Sequence, residues 1–237
     1  NRRVNSNIKS ERKININNLV NKVGAVIVVS CSGERLPNKA TMKIQGRETI
    51  ALLIDRIKKC KYLDHIILAT STLRSDNQLA KIAKREKIGI YRGSIDNVAK
   101  RIYLAAKKYN LDQVVRITGD DILRDEIMID KTILSHLKSS CDVTISKNMP
   151  YGTSTEIMTI DVLKKVVRYI KVPEYSEYLE HIINNKFYFS VNYIFSKYKF
   201  DKSIRMTLDY KEDLLFFKKI FKKFYAKHPN FSISEVL

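Results

Sequence analysis

Short apolar segments alternate with amphipathic segments along most of the chain from residue 24 onward. The apolar segments are rich in β-branched residues, which is typical of buried strands, and the segments between them carry apolar residues at helical spacing. Strands and helices in strict succession predict an α/β fold with a mostly parallel sheet covered by helices on both faces. The predicted strands are 25–29, 65–69, 88–91, 113–118 and 142–146.

Two features of this pattern direct the search for a site. Val98, Ile102, Ala105 and Tyr109 share one face of a predicted helix, with Ser94 as its candidate N-cap residue. In parallel sheets of this kind, ligands bind beyond the carboxyl ends of the strands. The residues that directly follow each predicted strand are therefore the first candidates for function.

Composition limits the class of protein. The chain has 237 residues, of which 44% are hydrophobic and 29% charged, a balance that argues against a disordered or membrane-spanning chain. Residues 1–22 lack both periodicity and an apolar run, so we expect a basic leader or linker there and one domain over 23–237. Three widely separated cysteines, Cys31, Cys60 and Cys141, disfavour a disulfide framework and predict a cytoplasmic location.

The charge is strongly basic, with 44 Lys and Arg against 25 Asp and Glu and a formal net charge of +19. A nucleic-acid-binding protein that uses the leader and the lysine-rich last helix stays open as an alternative, but we disfavour it. A positive field also steers small anionic substrates into clefts, and charge alone does not separate these two classes of partner.

The loop after the first predicted strand combines small residues with two cations. Ser30, Ser32 and Gly33 precede Arg35 and Lys39. Small residues allow close backbone approach to a phosphate, and the cations supply fixed positive charge. The spacing matches neither a P-loop nor a dinucleotide-binding fingerprint. An ordinary polar loop with two solvated cations is the alternative interpretation.

Carboxylates end two of the extended segments. Asp120 and Asp121 follow the strand 113–118, and Asp209 follows a segment in which apolar residues alternate from Ile204 onward, which predicts another strand. Asp120 and Asp209 could converge on one magnesium ion that also binds a nucleotide phosphate, with Asp121 in a supporting role. The alternative for either residue is that it caps the helix that follows it.

Taken in order, several segments resemble the cytidylyltransferases that make CMP-activated sugars. The resemblance is to the acylneuraminate and KDO cytidylyltransferases, in particular to the branch related to spore-coat polysaccharide synthesis, and runs from about residue 25 to 237. The segments that carry it are 35–39, 69–72, 92–98, 116–120, 180–181 and 205–209 with 212–213. This resemblance implies a nucleotidyltransferase of Rossmann-like α/β form that uses CTP and Mg²⁺, couples CMP to an acidic sugar or related anionic acceptor, and releases pyrophosphate. It also implies a homodimer, with a small acceptor and dimerisation lobe over about 150–200.

The resemblance further implies a role for each candidate residue. Arg35 and Lys39 would bind the triphosphate, and Asp120 and Asp209 would bind the metal; these four form the predicted catalytic set. Glu156, Glu180 and His181 would face the acceptor. The residues that would lie near the nucleotide are Ser30, Ser32, Gly33, Ala69, Thr70, Ser71, Arg92, Ser94 and Gly119.

The first loop departs from the family pattern. Members of the family usually carry Arg at the position of Ser30, and Gly then Ser where this chain has Ser32 then Gly33. A serine cannot replace the bidentate charge of a guanidinium, although Arg74 or Lys43 could compensate. The departure keeps a second hypothesis open, a non-catalytic family member that binds nucleotides or acts as a scaffold.

Overall fold

A seven-stranded sheet forms the centre of the computed structural model, which describes residues 21–33, 35–169, 179–201, 203–225 and 231–237. Its strand order is β5-β4-β1-β6-β8-β7-β9, and β8 is antiparallel to both neighbours while the other pairs are parallel. The strands are β1 (Val23–Val28), β4 (His65–Ser71), β5 (Gly89–Gly93), β6 (Gln113–Thr118), β7 (Val143–Lys147), β8 (Glu156–Thr159) and β9 (Val191–Phe195), and a separate hairpin joins β2 (Lys43–Ile44) to β3 (Arg47–Glu48).

Helices cover both faces of the sheet. They are α1 (Thr49–Ile57), α2 (Asn77–Arg85), α3 (Val98–Lys108), α4 (Glu126–Ser139), α5 (Ile160–Tyr169), α6 (Leu179–Ile183), α7 (Lys211–Phe224) and α8 (Ile233–Val236). Ala25 and Ile27 of β1 pack on one side with α1, α2 and α4, whereas Val26 packs on the other side with α3, α5 and α6. This alternation of side chains along a strand that is buried on both faces explains the continuous apolar run in the sequence.

A third apolar cluster attaches the C-terminal part of the chain. Phe217 and Phe221 of α7 pack with Met206, Leu208 and residues near the first loop. Phe231 is fully buried, and its ring lies 5.3 Å from that of Phe221, edge to face. This cluster fixes the position of the segment that carries Asp209.

The structure confirms the mostly parallel α/β architecture and all five predicted strands, with shifts of one or two residues at their ends. It adds β8 and β9, which the sequence pattern did not reveal. Residues 150–200 contribute β8, β9, α5 and α6 to the same sheet and apolar core, and their role in dimerisation stays a prediction. The expected leader lies almost entirely in residues 1–20, outside the described residues.

Two local predictions were wrong. The N-cap of α3 is Asn97, whose side chain accepts a hydrogen bond from the Lys100 amide at 2.8 Å, whereas the Ser94 hydroxyl accepts from the Asn97 amide three residues further on. Residues 204–209 form no ladder strand, and a single parallel bridge joins Arg205 to Tyr151. Met206 and Leu208 are buried as the pattern predicts, but Thr207 and Asp209 are buried too, so burial does not alternate along the segment.

Two expectations from composition agree with the structure. Cys31, Cys60 and Cys141 are free thiols. Across the described ranges, no helix is both long enough and apolar enough to traverse a bilayer.

A buried histidine links α4 to the sheet. The Nε2 atom of His136 lies 2.9 Å from Gln113 Oε1, and its Nδ1 atom lies 2.9 Å from the Thr144 hydroxyl. Because the Gln113 oxygen only accepts, Nε2 carries the proton and Nδ1 accepts from Thr144, which is the neutral form of the ring. Burial lowers the pKa of His136 from 6.5 to about 4 and the charge of Asp142 opposes this shift only in part.

We therefore expect acid to destabilise the protein through His136. Between pH 6.5 and 4 the unfolded chain binds a proton at this histidine and the folded chain does not, so stability falls as the pH drops through that window. The loss attributable to this residue is about 2 to 3 kcal/mol at pH 4. Urea unfolding of the wild type and of His136→Gln at pH 7 and pH 4.5 measures it, since their difference in stability should shrink on acidification. A difference that is independent of pH would contradict the assignment.

Candidate active site

The site lies at the sheet edge formed by the carboxyl ends of β1, β4 and β6. The register of these parallel strands brings Val28 beside both Ala69 and Thr118, so the chain segments that follow the three strands start side by side. Gly119 continues this arrangement, because its amide donates to the Val28 carbonyl at 2.9 Å. A Cβ atom at Gly119 would lie 2.6 Å from Cβ of Val29, so only glycine permits this approach.

Two carboxylates meet on one ammonium group at this edge. Lys39 Nζ lies 2.6 Å from Asp120 Oδ2 and 3.1 Å from Asp209 Oδ1. The two aspartates therefore converge, as the sequence predicts. Burial alone would raise the pKa of Asp209, but Lys39, Arg35 and Arg205 hold it below the usual range. Burial likewise acts to lower the pKa of Lys39, and the two carboxylates raise it instead, so Lys39 and Asp209 are both charged.

Neither aspartate serves as a helix cap. The amides at the start of α4 bond to the side chain of Asp125, and the amides of Asp209 and Tyr210 before α7 both donate to the Asp213 carboxylate at 2.9 Å. The carboxylates of Asp120 and Asp209 are therefore left for the cleft, and the capping alternative is wrong for both.

The segment that carries Asp209 is fixed by backbone contacts. The amide of Leu208 donates to the carbonyl of Asp120 at 3.0 Å, and that of Met206 donates to the carbonyl of Tyr151 at 2.8 Å. Gly152 permits this close packing with φ of +89°, where a Cβ atom would lie 2.8 Å from Thr207 Cβ and 2.9 Å from Asp121 Oδ1. The hydrogen bond from the Leu208 amide to Asp120 thus brings Asp209 into the site, although this segment is not a strand of the sheet.

Arg35 joins the cleft from the first loop. Its Nη2 atom lies 2.9 Å from Asp209 Oδ1, and its side chain remains 59% exposed. A hydrogen bond with Tyr210 and the charge of Asp209 raise its pKa further above the usual value. Arg35 therefore presents a permanent positive charge that anions in solution can reach.

Asp76, which the sequence analysis missed, organises the first loop. Its fully buried carboxylate accepts hydrogen bonds from the Cys31 amide at 2.8 Å and from the hydroxyls of Thr70 and Ser71 at 2.8 and 2.5 Å. Burial acts to raise the pKa of Asp76, and these hydrogen bonds lower it, so the group is ionised. The hydroxyls of Thr70 and Ser71 therefore both donate to Asp76, and Asp76 connects the end of β4 to the loop after β1.

Arg92 has a similar supporting position in the structure. Its guanidinium donates to the carbonyls of Ser71 and Leu73 at 2.9 and 2.7 Å and to the Asn77 side chain at 2.7 Å. The three bonds hold the turn after β4 in place. Contact of Arg92, Ser94 and Ala69 with a nucleotide stays a prediction.

Asp121 faces away from the ammonium of Lys39. Its carboxylate accepts hydrogen bonds from Thr118 and from Arg124, the latter at 2.6 Å, and Arg124 also donates to the Ser154 carbonyl. Burial raises the pKa of Asp121, and the charge of Arg124 opposes that shift. Asp121 is thus a structural residue beside the site, as its expected supporting role requires.

Glu156, one of the residues predicted to face the acceptor, contacts Arg116. Glu156 Oε2 lies 3.0 Å from Arg116 Nη1, and β6 and β8 place the two residues directly opposite each other. Burial acts to lower the pKa of Arg116, whereas Glu156 and, more weakly, Glu180 raise it, so both carboxylates lie within electrostatic reach. Glu180 and His181 are exposed on α6. Contact of these residues with an acceptor stays a prediction.

The donor set suits one type of metal site. Within the described ranges, no three histidine, cysteine or acidic side chains are grouped closely enough to form a metal cage of protein ligands alone. Two carboxylates that converge at an accessible sheet edge are instead what Mg²⁺ uses when substrate phosphates and water complete its shell. Asp120 and Asp209 therefore fit a magnesium ion that arrives with a nucleotide.

Comparison with known proteins agrees with this geometry. An uncharacterized protein of Methanocaldococcus jannaschii is 33% identical over 205 residues, which are 86% of this chain and 84% of that protein. The spore coat polysaccharide biosynthesis protein SpsF of Bacillus subtilis is 23% identical over 227 residues, 92% of this chain and 93% of that protein.

Solved structures give the same result. A cytidylyltransferase from Leptospira borgpetersenii superposes with a TM-score of 0.83 at 25% identity, covering 89% of this chain and 90% of that one. A CMP:2-keto-3-deoxy-manno-octonic acid synthetase complexed with CTP superposes with a TM-score of 0.67 at 13% identity, covering 85% and 99%. At that identity the second likeness concerns the fold alone.

The family model described as cytidylyltransferase matches residues 25–233, a range that includes all of the sheet after its first two residues and every residue of the carboxylate and cation cluster. The chain therefore belongs to the cytidylyltransferase family and is a nucleotidyltransferase.

Proposed function

We propose that the protein transfers CMP from CTP to an acidic sugar or a related anionic acceptor and releases pyrophosphate, as a step in surface glycan assembly. The observation that carries the proposal is the convergence of Asp120 and Asp209 on the Lys39 ammonium, beside Arg35. Family membership supports the cytidylyl group as the group transferred. The similarity to a spore coat polysaccharide biosynthesis protein supports the glycan context.

The reaction requires positioning and charge neutralisation. An acceptor oxygen attacks the α-phosphorus of CTP, and the bond from that phosphorus to the oxygen bridging toward the β-phosphate breaks, so pyrophosphate leaves with the bonding electrons. Repulsion between the anions and the charge that builds on the leaving group limit such transfers. No protein nucleophile is required.

Residues of the first loop supply the fixed charge. Arg35 and Lys39 lie where the triphosphate would meet the carboxyl end of β1, and their cationic forms are favoured by the carboxylates beside them. Asp120 and Asp209 would hold Mg²⁺, which supplies further positive charge to the phosphate oxygens when it is bound. The shielded position of Asp209, whose side chain is 7% exposed, strengthens these electrostatic interactions.

A second candidate function, nucleotide binding without turnover, is favoured by one observation. Ser30 carries no charge, and its hydroxyl lies 3.1 Å from that of Ser32. Of the two cations that could compensate, Arg74 lies two residues before Asp76, which binds the first loop, whereas Lys43 lies in the hairpin β2–β3, opposite Glu48 in the backbone register. Arg74 is thus the better placed substitute.

Neutralising either carboxylate of the pair should abolish turnover. We expect Asp120→Asn and Asp209→Asn each to lower kcat by at least about 10²–10³, by analogy with the loss of a single group that stabilises transition-state charge. Pyrophosphate release from CTP, Mg²⁺ and a panel of ulosonic acids provides the assay. Asp161→Asn is the matched control, because Asp161 is exposed in the first turn of α5 at the opposite edge of the sheet. Full activity of both site variants would refute the assigned roles, and a wild type that neither binds CTP nor releases pyrophosphate would refute the proposed function.

Restoring the missing guanidinium should improve nucleotide binding. Ser30→Arg places a cation at a half-exposed position just after β1, and a hydrogen bond to a charged group contributes about 1.5–3 kcal/mol, so we expect CTP to bind about 10- to 100-fold more tightly. Titration calorimetry with CTP and Mg²⁺ measures the change. Ser32→Arg adds the same charge two residues away and controls for a general electrostatic effect. Equal gains in both variants would show that position 30 has no specific role.

A further inference from the structure

Arg205 binds the carboxylate oxygen of Asp209 that the first loop does not bind. Its Nη2 atom lies 3.2 Å from Asp209 Oδ2 and 3.6 Å from Asp213 Oδ2. Arg35 and Lys39 bind the other carboxylate oxygen of Asp209, Oδ1. The two cations predicted to bind the triphosphate thus share one oxygen of Asp209, and Arg205 binds the other. The sequence analysis assigned no role to Arg205.

Two exposed tyrosine rings accompany Arg205. The guanidinium carbon lies 5.3 Å from the centre of the Tyr151 ring and 6.0 Å from that of Tyr210. The Tyr210 ring also lies 5.6 Å from the guanidinium carbon of Arg35, so it stands between the two arginines. Tyr151 is 64% exposed and Tyr210 is 46% exposed, while the Arg205 side chain is 42% exposed. Small-molecule sites commonly combine aromatic rings with a few fixed polar groups in this way.

The backbone holds this cluster rigidly. Arg205 forms a parallel bridge with Tyr151, and the amide of the next residue, Met206, donates to the Tyr151 carbonyl at 2.8 Å. Gly152 then turns with φ of +89°, packed against Thr207. The chain continues from this turn to Glu156, so the cluster adjoins the segment expected to face the acceptor.

The guanidinium retains donors for a ligand. Across the described parts of the chain, Nη2 is the Arg205 nitrogen that pairs with carboxylates, and Nε and Nη1 have no hydrogen-bond partner. A planar guanidinium with unused donors favours a carboxylate or a phosphate, which it can bind with two parallel hydrogen bonds.

We propose that Arg205, with the Tyr151 ring beside it, binds the anionic group of the acceptor, a carboxylate or a phosphate. The inference rests on the proposed function, and it assigns the anion subsite to the Oδ2 side of Asp209. The triphosphate occupies the Oδ1 side with Arg35 and Lys39. Substitution of Arg205 therefore affects the acceptor and leaves CTP binding intact.

Steady-state kinetics and calorimetry on the full chain test this assignment. The probes are CTP with Mg²⁺ and two acceptor classes, ulosonic acids such as 2-keto-3-deoxy-manno-octonic acid and phosphorylated sugars. Arg205→Met should raise the acceptor KM about 10- to 100-fold, the equivalent of one charged hydrogen-bonding group, with the CTP KM and Kd unchanged within about twofold. Arg205→Lys should recover part of the loss, because lysine keeps the charge without the planar fork.

Two further variants make the result specific. Arg168→Met is the matched control, since Arg168 is an exposed arginine on α5, and it should leave both KM values unchanged. Tyr151→Ala should raise the acceptor KM by a smaller factor than Arg205→Met. The acceptor class that responds to Arg205→Met identifies the anion as a carboxylate or a phosphate.

Other outcomes overturn the inference. A fall in CTP affinity in Arg205→Met equal to that in Arg35→Met would assign Arg205 to the triphosphate. A fall in kcat or in Mg²⁺ affinity at unchanged acceptor KM would show that Arg205 positions Asp209 and does not bind the acceptor. A wild type that binds CTP and neither acceptor class would also refute the inference while leaving the nucleotide half of the proposed function intact. A wild type that does not bind CTP refutes the proposed function, and the inference with it.

Discussion

The ammonium of Lys39 holds together two carboxylates that would otherwise repel each other at a partly shielded sheet edge. Asp120 and Asp209 come from distant parts of the chain, and each lies within hydrogen-bond distance of this one nitrogen. Two like charges this close are tolerated only where a cation compensates them, and here Arg35 and Arg205 add to Lys39. Lys39 is the group that joins the first loop to both carboxylates, and so to the segment before α7.

A second buried charge fixes the opposite side of the cleft. Asp76 bonds to the amide of Cys31 and to the hydroxyls of Thr70 and Ser71, so one carboxylate links the ends of two neighbouring strands. Buried carboxylates are stable only when such donors surround them. Asp76 therefore anchors the first loop at Cys31, while Arg35, further along the same loop, remains 59% exposed.

Most of the fold could be predicted from the sequence because the parallel strands are continuous apolar runs. Residues 25–29 and 113–118 needed no further information to be recognised as strands. Strand β8 was missed because it is four residues long and begins with Glu156, a residue type that patterns assign to the surface. Its charge is accommodated by Arg116 on the neighbouring strand, and only the three-dimensional pairing reveals that partner.

The same limit applies to the candidate site. Asp120 and Asp209 were found because each follows an extended segment, and the structure brings them together. Asp76 was not found, because the turn from Ser71 to Asp76 has the composition of an exposed loop and its burial depends on the strand beside it. Ser94 and Asn97 are both good capping residues, and the helix start is decided by which side chain reaches the Lys100 amide.

The late position of Asp209 has a consequence for how the protein is made. Lys39 and Asp209 lie 170 positions apart, and all seven strands of the sheet are complete by Phe195. A ribosome delivers the chain from its N-terminus, and domains tend to acquire structure in that order. Asp120 therefore leaves the ribosome long before Asp209, and the acidic pair is complete only when the final segment docks on the sheet. A chain that ended after Phe195 would contain every strand of the sheet and Asp120, but would lack Asp209.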